Sequence, residues 1–402
     1  MTFGVTGRLA RVAMVAALGL AMPMLAHAEK KYGPGVTDDE ILIGQTMPYS
    51  GPASAYGTIG RAAAAYFRKL NDEGGINGRK INLISLDDGY SPPKTLEQIR
   101  KLVERERVFA IYNPLGTAPN AAIYEYLNKR GVPHLFISSG SGRFNDPVNF
   151  PWTMPWLPTY HAEGFSIGEY LLRAKPDGKI AILYQNDDIG RDYVAGIREA
   201  LGDAADRMII ATESYEVTDT TIDSAVVNLK SSGADVFANL GVPKFAAQAI
   251  RRADELGWKP FQYLGSIGSS IAATLKPAGL DKSVGIVTGA YIRDPFSAET
   301  QATQGYKDFI VFMEKYYPDG DVKDQNNLIG YSIAQTFEQV IRQAGDNLTR
   351  ENVMKEAANL KDLVLPMVQP GLIINTGPND YLPLDRTRLM RFNGERWEPL
   401  EG

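Results

Sequence analysis

The sequence predicts an α/β protein made of two doubly wound, Rossmann-like lobes, and three observations predict it. Short runs rich in Val, Ile and Leu alternate with longer amphipathic stretches from Asp39 onward, as βα units of a mostly parallel sheet do. The alternation pauses at a stretch punctuated by Pro151, Pro155 and Pro158 and then restarts. A chain of 402 residues also exceeds what one hydrophobic core ordinarily organises.

In the first lobe, residues 41–45 read as a strand. Residues 60–72 read as a helix, with Ala62, Ala65, Tyr66 and Leu70 at helical spacing and Gly74-Gly75 as the stop. The next units are a strand at 81–85, a helix at 95–105, a strand at 108–111, a helix at 120–129 and a strand at 134–137. Beyond the prolines, helices at 161–172, 191–201, 224–231 and 244–256 alternate with strands at 179–184, 208–215, 236–240 and 261–264, which makes the second lobe. A strand at 285–290 precedes three long helical patterns at 300–317, 327–344 and 350–358. Those helices need a sheet to cover, and the first lobe is the candidate.

Arg8 and Arg11 precede an apolar run over 12–25 and then Ala26-His27-Ala28, the small-x-small form of a secretory cleavage site. The expectation is a signal peptide over 1–28 and a mature protein released into the periplasm, since the run is too short for an anchor and no Cys stands at the site to carry a lipid. Cys is absent from the chain, which excludes disulfides and thiolate metal sites. An apolar fraction of 44% argues against disorder. The formal charge of −5, about −7 without Arg8 and Arg11, makes nucleic acid an unfit partner.

Open α/β sheets bind ligands beyond the C-terminal ends of their strands, so the turns there are the places to look. They read Met47-Pro48-Tyr49-Ser50-Gly51-Pro52, then Asn113-Pro114-Leu115-Gly116-Thr117, then Ser138-Ser139-Gly140-Ser141-Gly142; in the second lobe Gly241 follows the strand at 236–240. Such small, hydroxyl-bearing turns present N–H and O–H donors with little obstruction. Catalytic patterns are weaker. Gly164-Phe165-Ser166-Ile167-Gly168 has the spacing of a hydrolase nucleophile but falls inside a predicted helix, where the required sharp turn cannot form. His134 and His161, the histidines left after cleavage, have no metal-ligand spacing, so neither metal nor cofactor is expected. Asp87-Asp88 and Asp187-Asp188 lie in turns leading to helices, where carboxylates cap free amides.

The run 51–60, the segment Asn71-Asp72-Glu73-Gly74-Gly75-Ile76-Asn77-Gly78-Arg79-Lys80-Ile81, then Asp87-Asp88, Gly131-Val132-Pro133, Gln185-Asn186-Asp187-Asp188-Ile189-Gly190-Arg191 and Ser232-Gly233-Ala234-Asp235-Val236 resemble, in order, the periplasmic leucine/isoleucine/valine-type binding proteins. The resemblance implies the type I periplasmic binding protein fold, with a first lobe over 39–157 plus 291–362 and a second over 158–290 plus 363–398. Three strands would join them as a hinge. It also implies a non-enzymatic role: capture of a small molecule between closing lobes, by a monomer, and its delivery to an inner-membrane ABC permease with ATPase subunits.

Carried over by position, Ser139, Gly140 and Ser141 match the turn that holds a ligand carboxylate, with Leu115, Gly116 and Thr117 in the neighbouring turn. Ile189 falls where relatives often carry an aromatic cover. Amino-acid-binding relatives place an acidic residue for the ligand ammonium in the turn that here reads Gly265-Ser266-Ile267-Gly268. Burying an ammonium without a counter-charge costs several kcal/mol. The favoured ligand is therefore an aromatic or other hydrophobic acid without an α-amino group, with Tyr49, Trp152, Trp156, Tyr291 and Tyr331 as candidate walls. A branched-chain or other amino acid, a secreted hydrolase using Ser166 or the pairs Asp87-Asp88 and Asp187-Asp188, and a ligand-sensing module for a receptor stand as alternatives.

Overall fold

A computed structural model describes residues 30–400; the signal-peptide expectation lies outside the described residues. The first sheet begins with β1 (Glu40–Met47), which leads into α1 (Gly57–Asp72). It continues through β2 (Lys80–Asp87), α2 (Pro92–Arg100), β3 (Ala110–Tyr112), two short helices α3 (Thr117–Ala121) and α4 (Tyr124–Arg130), β4 (His134–Ile137) and β5 (Thr153–Pro155). The strands run in parallel in the order β2-β1-β3-β4-β5.

The chain then crosses to the second sheet. Its elements are α5 (Tyr160–Ala174), β6 (Ile180–Gln185), α6 (Asp188–Leu201), β7 (Ile209–Tyr215), α7 (Asp223–Ser231), β8 (Val236–Leu240), α8 (Pro243–Glu255), β9 (Phe261–Leu264) and β10 (Val287–Ala290). The strand order β7-β6-β8-β9-β10 repeats that of the first sheet, so the same doubly wound design is used twice.

After β10 the chain returns to the first lobe with α9 (Gln304–Tyr316), α10 (Gln325–Ala344) and α11 (Arg350–Ala357). These helices cover the first sheet: α10 packs along α1, and Tyr112 of β3 meets Phe67 and Phe337 edge-on at 5.2 and 5.1 Å between ring centres. Tyr331 lies in this aromatic core beside Tyr66, Phe309 and Phe312. A second cluster, with Ile99, Leu102, Ile111 and Leu127, fills the opposite face under α2 and α4.

Finally β11 (Arg388–Phe392) extends the second sheet antiparallel to its edge strand β10, and β12 (Trp397–Pro399) pairs antiparallel with β11. Three segments thus connect the lobes. The last crossing comes later than the expected 363–372, because Leu363, Leu365, Met367, Val368, Ile374 and Leu384 pack into the first lobe's core.

α5 and α6 make the most intimate helix pair of the molecule. A Cβ on Gly164 would stand 2.3 Å from the Tyr193 carbonyl oxygen, and one on Gly196 2.0 Å from that of His161. The glycines of the Gly164–Gly168 pattern therefore serve close helix approach, and Ser166 sits in a helix interior instead of at a strand-to-helix turn.

Candidate functional site

The two sets of strand ends face each other and enclose a cavity with about 600 Å³ of atom-free space, open solvent at its mouth included. Its wall is built where the shared topology predicts. Leu115 and Gly116 follow β3, Ser138 follows β4 and Leu157 follows β5; Ile189 follows β6, Val242 follows β8, Ser266, Ile267, Ser269 and Ser270 follow β9, and Tyr291 follows β10. Tyr56, Ile59 and Tyr90 come from the α1 region and the turn after β2, Tyr160 opens α5, and Gln325, Asn326 and Ile329 lie on the first turns of α10. No Asp, Glu, Lys, Arg or His stands on the wall.

The lobes are shut over this cavity. Tyr56 OH donates to the Ile267 carbonyl across the cleft at 2.7 Å, and Ser270 Oγ to Asp324 Oδ1 at 3.1 Å. At the rim Arg143 pairs with Asp188 at 3.0 Å and the Gly142 amide donates to Asp192 at 3.2 Å.

A buried polar network sets the first lobe's turns. Asn113 and Phe136 hold positive φ values of 45° and 58°, a strained region for residues other than Gly. The Asn113 side-chain amide restrains both turns, donating to the Phe136 carbonyl at 2.8 Å and to Ser138 Oγ at 2.7 Å. Gln45 Nε2 in turn donates to the Asn113 carbonyl at 3.1 Å.

The second lobe's turn after β9 rests on Glu163 of α5, which is 3% exposed. Its Oε1 accepts from the Ser266 amide at 2.7 Å and Tyr263 OH at 2.6 Å; its Oε2 accepts from Ser266 Oγ at 2.6 Å and Tyr193 OH at 2.8 Å. Burial raises the Glu163 carboxyl above its ordinary range, while the four donors pull the other way. A carboxylate thus stands behind the turn that lacks one in sequence, with both oxygens already bonded.

Five of the residues singled out from sequence line the cavity: Leu115, Gly116, Ile189, Ile267 and Tyr291. Gly241 sits next to the wall residue Val242 and donates its amide to Asn239 Oδ1 at 3.3 Å. Thr117 and Ser139 are buried behind the wall, their hydroxyls 2.6 Å apart, and the Ser141 amide donates to Ser139 Oγ at 3.2 Å. Gly140 lies under the ring of Tyr160. Tyr49 is away from the cavity, its phenol 2.6 Å from Ser85 Oγ and its ring under Arg61. Trp156 is core: fully buried, it donates Nε1 to Thr336 at 3.0 Å and lies behind the wall residue Tyr291.

Sequence reasoning passed over Tyr56, Tyr90 and Tyr160. For two of them a signal was present, since Tyr90 ends the turn begun by Asp87-Asp88 and Tyr160 follows Pro158 at a helix start. His134, buried and bonded through Nε2 to Asn120 Oδ1 at 2.8 Å, is pushed down by burial to about 3 and stays neutral. His161 pairs with Glu199 on an outer helix face. Among the described residues no cluster of His, Asp or Glu suits a metal ion, and no helix is long and apolar enough to cross a membrane.

A family model described as periplasmic binding protein matches residues 40–391. Leu/Ile/Val-binding protein homolog 7 of Brucella abortus is 25% identical over 304 residues, covering 73% of this chain and 75% of that protein. Homolog 8 of Brucella suis is 22% identical over 404 residues, covering 97% and 94%. A branched chain amino acid ABC transporter protein from Thermus thermophilus, solved with bound valine, superposes with a TM-score of 0.81 at 18% identity over 91% of this chain and 96% of that one. A fatty acid ABC transporter substrate-binding protein from Thermomonospora curvata gives 0.76 at 21% identity over 93% and 95%. With two lobes of one strand order shut over a single cavity, and a match that spans both, the chain belongs to the periplasmic binding protein family, in its type I leucine/isoleucine/valine-binding branch.

Proposed function

We propose that the protein captures a small, largely apolar molecule bearing a hydrogen-bond acceptor, such as a carboxylate, and no α-ammonium group. It then hands that molecule to an inner-membrane ABC permease with its ATPase subunits. In this reading residues 1–28 direct export and the protein works as a monomer in the periplasm. One observation carries the ligand class: the cavity wall has no charged side chain, and both oxygens of the carboxylate behind it, Glu163, are taken by four donors. An ammonium placed there would lose its hydration without gaining a free anionic partner. The aliphatic and aromatic wall, from Ile59, Leu115 and Ile267 to Tyr56 and Tyr291, suits an apolar body.

The fold by itself does not choose the ligand, since one neighbour was solved with valine and another is named for fatty acids. The test is thermal unfolding of the mature protein with benzoate, phenylacetate and hexanoate against leucine, isoleucine and valine. A ligand at a hundred times its dissociation constant adds roughly 2.7 kcal/mol of stability. Stabilisation by one of the acids supports the reading; stabilisation by the amino acids alone overturns it.

A further inference from the structure

Two donors of the first lobe converge behind the cavity wall: the Gly140 amide and one hydroxyl of the Ser139–Thr117 pair, whose oxygens lie 2.6 Å apart so that the other proton is spent between them. Ser139 and Thr117 are 0% and 1% exposed, and neither forms part of the wall. What stands between them and the cavity is Tyr160. Its amide donates to the Gly140 carbonyl at 2.8 Å, which anchors it to this turn. Its ring lies so close over Gly140 that a Cβ there would come within 2.8 Å of two ring carbons. The ring also stacks on Tyr193 at 5.0 Å between centres, so the side chain is held by both lobes' packing. Tyr160 is 4% exposed, yet it lines the cavity.

We propose that Tyr160 is the specificity-determining residue of the site: its phenol fills the donor turn formed by Thr117, Ser139 and Gly140 and presents a single polarised O–H to the ligand in their place. The phenol oxygen takes up the surrounding donors, and its own proton is left to point into the cavity. Burial raises the phenol to about 12 while the Gly140 amide and the Ser139 and Thr117 hydroxyls pull it down, so it stays a protonated donor at any physiological pH. At this turn the ligand therefore meets the Tyr160 hydroxyl instead of the donors of the Ser139–Thr117 pair and Gly140. Short carboxylates that need those donors are excluded, and larger apolar molecules with one acceptor are admitted. This inference rests on the ligand class proposed above and assigns the residue that enforces it.

The experiment uses the mature chain and isothermal titration with acetate, benzoate, phenylacetate, hexanoate and leucine. Tyr160→Phe removes the donor and leaves the plug. It is expected to weaken whichever acid binds the wild type by roughly tenfold or more, the loss of a hydrogen bond to a charged acceptor. Ser139→Ala is expected to weaken binding in the wild-type background and to change it less than twofold in the Tyr160→Phe background, because Ser139 acts through the phenol. Tyr160→Ala opens the turn and is expected to gain binding of acetate that the wild type lacks.

Equal affinity in the wild type and Tyr160→Phe overturns the proposal, as does a Ser139→Ala loss of the same size in both backgrounds. Should Tyr160→Ala fail to fold, those two comparisons still decide. A wild type that binds leucine and none of the acids overturns the ligand class itself, whatever the variants do.

Discussion

Glu163 is spelled inside a helix, three residues after Tyr160, with nothing in its neighbourhood to mark it. Its consequence is fixed by what it bonds. Glu163→Ala leaves Tyr193 OH, Tyr263 OH and both donors of Ser266 facing a cavity in a dry interior, at about 1 to 3 kcal/mol for each buried group that finds no water. The variant is expected to lose about 3 kcal/mol or more in urea unfolding, and to weaken ligand binding through the displaced 266–270 turn.

Asp187 shows the opposite electrostatic balance. Desolvation raises its carboxyl from 3.8 to about 6, against donors from the Gln185 side chain and the Ile189 amide. The folded state then holds a proton that the unfolded chain has released between pH 4 and 6. Its contribution is most favourable below about 4 and declines as pH rises through 6, by at most about 3 kcal/mol. Asp187→Asn keeps an N-cap acceptor for α6 and is expected to flatten this slope. The check is the difference in unfolding free energy between variant and wild type at pH 4, 5, 6 and 7; a constant difference would refute it.

At the scale of elements, the pairing of α5 with α6 depends on missing side chains. Gly196→Ala forces a methyl to within 2.0 Å of the His161 carbonyl oxygen, and the helices must part. A loss of about 3 kcal/mol in thermal or urea unfolding is expected, against little change for Gly142→Ala, where a Cβ meets nothing and the backbone is not left-handed.

Most elements were legible because strands buried on both faces read as apolar runs, as in Ala110–Tyr112 or the first five residues of Ile180–Gln185. Those that were not have physical reasons. Thr153–Pro155 is three residues among prolines, and Arg388–Phe392 breaks its apolar pattern with the exposed Arg388 and Arg391, as a strand added near a sheet edge can. In the site, the residues on strand-end turns were readable, since topology alone sends them to the cleft. Tyr56, Gln325 and Asn326 were not, since they meet the cavity through the packing of helices whose arrival depends on contacts distant in sequence.

At the scale of the molecule, closure is held by few bonds. Tyr56→Phe deletes the hydrogen bond to Ile267 across the cleft, and Arg143→Ala the rim pair with Asp188. Both are expected to shift the population toward an open form, visible as a larger radius of gyration in solution scattering without ligand. Saturating ligand should restore the compact value; an unchanged radius in both variants would mean that these bonds do not govern closure.

The interleaving of the two lobes also dictates an order of assembly. The long helix Gln325–Ala344, which covers the first sheet, is encoded after nearly all of the second lobe, and the second sheet waits for Arg388–Phe392 to cover its edge. A growing chain therefore exposes an uncovered sheet for most of its synthesis and completes both halves almost together. Both lobes therefore harden only once the last segments of the chain are available.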